Sequence, residues 1–239
     1  MQKFFFQVLL GFIAISPLCA QTEAPTAPAK KAAGRVAYFV YTSIPDDVEN
    51  PVTIMTGTET TQLNLSKRAA SEGVKIPADG IIRLVKKVEN PEDPAKPLWK
   101  TLAQATIAEN INKALVILLP APKNTNGIVF QPRILDLAGF KGGDYLYLNL
   151  TTLNVAVEMG TTKIEIKPGE TKIYDCPKLA GPQNVAVRYN FFHPKLQEWQ
   201  MISASTVVLR DTRREICIFS WDTQYERMDY VGITFPVTP

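Results

Sequence analysis

Two stretches of the chain, about one hundred residues apart, resemble each other position by position. Residues 99–107 (WKTLAQATI) align with residues 199–207 (WQMISASTV), and residues 113–118 (KALVIL) align with residues 214–219 (REICIF). An internal duplication of this kind restricts the chain to architectures with two similar halves. At 239 residues, the chain is long enough for two domains of about 100 residues each.

The rest of the sequence predicts strands in both halves. Short runs of β-branched and aromatic residues alternate with turn residues, and no helical period lasts a dozen residues. In this alignment Tyr147 matches Tyr38, and residues 155–157 match residues 52–54. We predict an all-β fold of two tandem antiparallel β-sandwich domains, immunoglobulin-like and related by duplication, over residues 35–138 and 139–239.

The sequence also supports three local predictions. Residues 101–112 have the composition of a helix, but the aligned residues 201–209 are rich in β-branched residues and serine, which favours a strand in both places. Pro168-Gly169 predicts a tight hairpin between the runs on either side. Because Trp99 and Trp199 occupy equivalent positions, they are expected to fill the cores of the two sandwiches.

The first twenty residues are typical of a cleavable secretory signal. Lys3 precedes an apolar run and small residues follow it, and the run is too short to span a bilayer. Lipid anchoring at Cys19 is disfavoured because Leu18 stands where that processing requires a small residue. Residues 21–34 are predicted to be a disordered Ala/Pro/Lys tether. We expect an exported protein, periplasmic or extracellular, with no transmembrane span in the mature chain.

Charge and cysteine content narrow the candidate partners. Without residues 1–20 the chain has 25 basic and 23 acidic residues, a net charge of +2, and its basic doublets are scattered. A nucleic-acid partner is therefore not expected. Cys176 and Cys217 remain, and the sequence leaves open either a disulfide between them or two buried thiols. The first half has Val116 where the second has Cys217.

The usual signatures of catalysis are missing from the sequence. The single histidine, His193, precedes Pro194, and no nucleophile elbow or glycine-rich phosphate loop occurs. One histidine and two cysteines cannot supply a blue-copper site, and they fit zinc poorly. No metal, no cofactor and no catalytic residue is expected. A hydrolase that uses paired carboxylates remains open, since 23 acidic residues offer many pairs.

The leading hypothesis is a non-catalytic binding or scaffold protein of the cell envelope that contacts a protein partner through its loops. The alternative is a carbohydrate-binding module that uses aromatic residues of the second half; a carboxylate hydrolase comes third. Function is expected where the halves differ, which includes the proline-rich loop before Trp99. The candidate binding residues in the second half are Phe191, Phe192, His193, Trp221 and Tyr225.

Overall fold

The computed structural model describes residues 34–93, 96, 98–122, 126–222 and 225–236. The predicted signal (1–20) and tether (21–34) lie outside the described residues apart from Gly34. No helix occurs in these described ranges, so none is long and apolar enough to cross a membrane. The first half contains eight strands: β1 (Val36–Tyr41), β2 (Val52–Thr56), β3 (Glu59–Leu63), β4 (Val74–Lys75), β5 (Ile81–Val88), β6 (Leu98–Thr106), β7 (Lys113–Pro120) and β8 (Phe130–Asp136).

The second half contains another eight strands. They are β9 (Tyr145–Asn149), β10 (Val155–Met159), β11 (Thr162–Ile166), β12 (Thr171–Tyr174), β13 (Gln183–His193), β14 (Glu198–Leu209), β15 (Arg213–Asp222) and β16 (Arg227–Pro236). The prediction of strand rather than helix for the segment after Trp99 is confirmed, since β6 covers its first half and no helix follows.

The sixteen strands form four sheets of four, as expected for β-sandwich domains. Sheet I has the order β4-β1-β7-β8 and sheet II β3-β2-β5-β6. Sheet III has the order β12-β9-β15-β16 and sheet IV has the order β11-β10-β13-β14. The strand orders of sheets III and IV are therefore those of sheets I and II with eight added to each strand number. The sheets are not purely antiparallel, however. β1 runs parallel to β7, and β9 runs parallel to β15. Parallel neighbours need a long connection, and here the chain forms the strands of sheet II between β1 and β7 and those of sheet IV between β9 and β15.

Three hydrophobic cores stack these sheets in the order II, I, III, IV. One core lies between sheets I and II, and another lies between sheets III and IV. A third, which we name the middle core, joins sheet I to sheet III. It contains Val40, Leu115, Ile117, Leu137, Phe140, Leu146, Leu148, Ile216, Ile218, Ile233 and Phe235. Gly34–Pro239 accordingly forms one compact unit.

The middle core explains the most apolar strand of the sequence. Residues 114–118 of β7 are all fully buried, with Val116 facing sheet II and Ile117 facing sheet III. A strand that is covered on both faces reads as a continuous apolar run, whereas a half-exposed strand alternates. The run at 113–118 is thus the sequence signal for a sheet buried on both sides.

Both long hairpins of the outer sheets carry a β-bulge at an equivalent place. The register between β5 and β6 shifts after Leu84, and that between β13 and β14 shifts after Tyr189. Trp99 and Trp199 precede these bulges by the same number of residues. The expectation that both tryptophans fill a core is wrong: 37% of Trp99 and 41% of Trp199 is exposed, because each side chain lies on the outer face of its sheet.

Two further expectations need correction. Phe39 pairs with Val116 and Tyr147 pairs with Cys217, so Tyr147 corresponds to Phe39, one residue away from the sequence match to Tyr38. A shift of one residue moves a side chain to the opposite face of its sheet.

The turn at Gly169 forms, but β11 pairs with β10 and β12 pairs with β9. The turn therefore connects two sheets, and the predicted hairpin does not form.

Candidate functional site

The outer sheets of the two halves differ where β2 and β10 begin. In sheet IV, β10 pairs with β13 from Val155 to Met159, and the Phe192 N–H donates to the Asn154 carbonyl over 2.9 Å. In sheet II the corresponding ladder pairs only Thr53 to Met55 with β5. β5 therefore continues past the end of its ladder with β2, and a cleft opens beside it.

Pro51 marks this early end. By the register of β2 with β3 and of β10 with β11, Pro51 occupies the place of Asn154. Proline has no N–H to donate to the Lys87 carbonyl, so the two bonds of a full antiparallel pair cannot both form there, and proline is found at strand ends and edges. Lys87 is the equivalent of Phe192, because Lys87 pairs with Trp99 and Phe192 pairs with Trp199. Unlike Phe192, Lys87 has no described backbone hydrogen bond on the β2 side.

The resulting space, which we name the Trp99 cleft, measures about 1080 Å³. This volume is in the range of sites that hold small ligands or short segments of another chain. Its apolar lining consists of Val48, Pro51, Val52, Val85, Val88, Pro91, Trp99 and Leu102. Its polar lining consists of Glu49, Thr53, Gln62, Lys86, Lys87, Glu89 and Asn90.

Asparagine side chains hold both walls of the cleft. Asn50 bonds Leu65 twice, accepting from its N–H and donating to its carbonyl, each over 3.0 Å. On the other wall, Asn90 donates to the Lys96 carbonyl over 3.1 Å and accepts from the Glu92 N–H over 3.1 Å. The walls are therefore shaped before any ligand arrives, which reduces the entropy lost on binding.

The floor and rim of the cleft combine apolar side chains with hydrogen-bond donors and acceptors and with charges of both signs. The Gln62 amide donates to the Thr53 hydroxyl over 3.0 Å, and the Lys86 ammonium donates to the Asp47 carbonyl over 3.1 Å. Two lysines and two glutamates balance each other in charge around the lining. Such a surface favours a ligand with an apolar body and polar edges over a strongly charged one.

Phe191 and Phe192, two of the residues predicted to bind, point to opposite faces of sheet IV. Phe191 is 9% exposed and packs into the core between sheets III and IV. Phe192 is half-buried on the outer face, where its ring meets Trp199 edge-on with centroids 5.6 Å apart. Phe191 is therefore a core residue, while Phe192 and Trp199 form an aromatic pair on the surface.

His193, Trp221 and Tyr225 lie at turns at one end of the second half. The His193 Nδ1 accepts from the Leu196 N–H over 3.3 Å, so its ring closes the turn between β13 and β14. Trp221 is 44% exposed and Tyr225 is 62% exposed, with the Arg227 guanidinium 5.2 Å from the Tyr225 ring centroid. No ring contact joins Trp221 to the phenylalanines among the described residues.

The core of the second half holds a buried thiol among tyrosines. The Tyr189 hydroxyl lies 3.5 Å from the Cys217 Sγ. Burial raises the pKa of Cys217 to about 12, and burial together with the nearby Glu215 raises the pKa of Tyr145 to about 12. Burial also raises the pKa of Tyr147 and of Tyr189. A thiol that stays protonated is a poor nucleophile, so this cluster is structural.

Cys176 and Cys217 are both free thiols in the structure. Cys217 pairs with Tyr147 of β9, whereas Cys176 lies beside Gly143, where an added Cβ would come within 2.8 Å of its Sγ. β9 lies between β12, which Cys176 follows, and β15, which carries Cys217, so one strand separates the two cysteines and places them about 10 Å apart across the sheet. A disulfide requires Cα atoms within about 7 Å. The geometry does not support the bridge and agrees with two separate thiols.

Within the described ranges, no group of three or more His, Cys, Asp or Glu side chains could hold a metal ion. Comparison with known proteins adds no assignment: the sequence matches no protein-family model and has no detectable similarity to a curated protein.

The proline-rich loop before Trp99 was predicted as a candidate from the sequence, and this loop supplies Pro91 to the cleft. The opposite wall was not predicted. In the sequence, Val85 is the one signal for the apolar floor of the cleft. It follows Leu84 directly, so that two apolar residues face opposite sides of β5, and it is only 3% exposed although it lies on the outer face. Pro51 before β2 is the other available signal.

Proposed function

We propose that the chain is an exported, non-catalytic binding protein of the cell envelope, formed by duplication of one immunoglobulin-like sandwich, and that it contacts a protein partner at the Trp99 cleft. The signal-like residues 1–20 support export to the periplasm or beyond. The repeated strand order and the matching bulges support a duplication. The described residues that line the cleft include no His, Cys or Ser.

The observation that carries this proposal is the early end of the ladder between β2 and β5. It leaves the β2 side of Lys87 facing the cleft beside an apolar floor that includes Val85. An extended segment of another protein can pair with such a strand by main-chain hydrogen bonds, while pockets take its alternate side chains. The second half has no such opening because its ladder extends through Phe192.

Trp99 should dominate the binding energy. Exposed tryptophans in preformed clefts are frequent energetic centres of interfaces, with losses of 2 kcal/mol or more on truncation to alanine. For the Trp99→Ala variant of the mature chain, immobilised and exposed to an envelope extract, we expect retention of the partner to fall by about tenfold or more. The bound protein would be quantified by mass spectrometry.

Trp199→Ala is the matched control, because Trp199 occupies the equivalent place and has a similar exposed fraction. It should retain the partner at the wild-type level. Equal losses in both variants, or none in either, would contradict the proposal. Circular dichroism and thermal unfolding verify that both variants are folded.

Carbohydrate recognition in the second half is the second candidate function. The exposed fractions of Trp221 and Tyr225 favour it, because exposed aromatic faces stack on sugar rings. It makes a distinct prediction: binding to envelope polysaccharide, measured by calorimetry, would be lost in Trp221→Ala and kept in Trp99→Ala. The opposite pattern would reject it.

A further inference from the structure

β14 forms a long, uncharged edge of sheet IV. It covers twelve residues and pairs on one side with β13, and sheet IV ends there. Apart from Glu198 at its start, the strand carries no charge and no proline. Edge strands usually avoid pairing with other chains by being short, charged or interrupted. β11, at the other edge of the sheet, has five residues and carries Lys163 and Glu165.

The direction of the β14 backbone groups follows from neighbouring hydrogen bonds. Even-numbered residues of β13 face β10, as the bonds at Phe192 and Ala186 show. Odd-numbered residues of β13 therefore face β14, opposite Ser203, Ser205 and Val207. The N–H and carbonyl groups of Ala204, Thr206 and Val208 must point to the open edge. The Val208 carbonyl confirms this, since Arg213 donates to it over 3.3 Å.

The first half covers the equivalent edge with its own chain. There the Val129 N–H donates to the carbonyl of Leu102, the bulge residue of β6, over 2.7 Å. This contact is possible because the connection from β7 to β8 is nine residues long, and Val129 at its end reaches β6. Only four residues separate β15 from β16. Among the described residues, no backbone bond from this connection reaches β14.

We infer that β14 pairs with β14 of a second copy of this chain, antiparallel across a two-fold axis within the bulge-free segment 203–209, and so joins two sheets IV into one. The inference is independent of the Trp99 cleft, which lies on the other outer sheet. A second copy fits because the segment is uncharged, so pairing opposes no like charges. With the axis at Thr206, Ala204 of one strand lies opposite Val208 of the other, so the outward backbone groups of the two copies face each other.

Side-chain exposure at this edge agrees with the inference. Ala204, Ser205 and Thr206 are all exposed in the single chain, as expected for residues whose cover comes from another molecule. Ser205 is the informative case, because its backbone faces β13 and its side chain is on the inner face of the sheet, yet it is not buried. Dimers with a two-fold axis are the commonest homo-oligomers, and the same surface of both copies forms their interface.

Thr206→Pro tests the inference selectively. Its N–H points away from β13, so proline removes only the bond to the second copy and is tolerated at an edge. Sedimentation equilibrium of the mature wild-type chain should give twice the mass of one chain, and Thr206→Pro and Thr206→Lys should each give the mass of a single chain. Thr106→Lys, at the equivalent position of β6, should remain dimeric.

A wild-type chain that is monomeric at every concentration would overturn the inference. So would a Thr206→Pro variant that is folded and still dimeric, since its interface must then lie elsewhere. Hydrogen exchange gives a second readout that does not depend on a variant. The amides of Ala204 and Thr206 should become protected as the wild-type concentration rises, while those of β11 should not change.

Discussion

Replacing Ile117 with alanine is expected to lower the free energy of unfolding by about 2–5 kcal/mol. Ile117 is fully buried in the middle core, between sheets I and III. Removing three carbon atoms loses their transfer free energy and leaves a cavity, because sheets packed from both sides cannot collapse into it. Urea denaturation followed by fluorescence and by circular dichroism would measure the effect.

The same experiment tests whether the two halves unfold together. Since the middle core joins them, Ile117→Ala should shift one cooperative transition that both probes report alike. Ile173→Ala is the control: Ile173 is 44% exposed on β12 and should change stability by less than about 1 kcal/mol. Two separate transitions, with only one affected, would contradict a shared core.

Replacing Asn149 with alanine should be similarly costly, at about 3 kcal/mol or more. Asn149 is fully buried, and its amide donates to the carbonyls of Leu153 and Ile166 over 2.7 and 3.0 Å. Its carbonyl accepts from the N–H and the hydroxyl of Thr151, over 3.0 and 2.8 Å. Truncation leaves buried groups unpaired, and each such group costs about 1–3 kcal/mol.

Asn154→Ala is the matched control for this variant. The Asn154 amide makes one exposed bond to the Glu165 carboxylate, over 3.0 Å, and its loss should change stability by less than about 0.5 kcal/mol. Equal effects at the two asparagines would contradict the assignment of a structural role to Asn149. Because Asn149 holds the loop that ends at Asn154, Asn149→Ala should also weaken the closed ladder at Phe192.

Strand content and the two-half layout were predictable because they depend on local pattern. Residues 163–167 alternate between charged and apolar side chains, which is typical of a half-exposed strand, and Ile166 on the apolar face is fully buried. The positions of the two tryptophans were predictable as equivalent but not as exposed. Equivalence identifies a shared place in the fold, whereas exposure depends on which face of the outer sheet that place occupies.

The middle core and the cleft could not be predicted because they depend on contacts distant in sequence. The apolar run at 113–118 indicates burial on both faces, yet nothing local shows that sheet III supplies the second cover. Likewise residues 52–54 and 155–157 are nearly alike, but their ladders differ in length. The substitution of Pro51 for Asn154 is local, while its consequence appears across the strand pair, at Lys87.

We propose that the first half is open at Lys87, where the second half is closed at Phe192, and that a strand of the partner fills this opening. Hydrogen exchange of the Lys87 and Phe192 backbone amides distinguishes the open place from the closed one. In the free protein the Phe192 amide, bonded to Asn154, should be protected and the Lys87 amide should exchange rapidly. Addition of the captured partner should then protect Lys87 and leave Phe192 unchanged. Equal protection of both amides in the free protein would show that the first half is not open at Lys87, and a Lys87 amide that stays unprotected with partner bound would show that no strand pairs there.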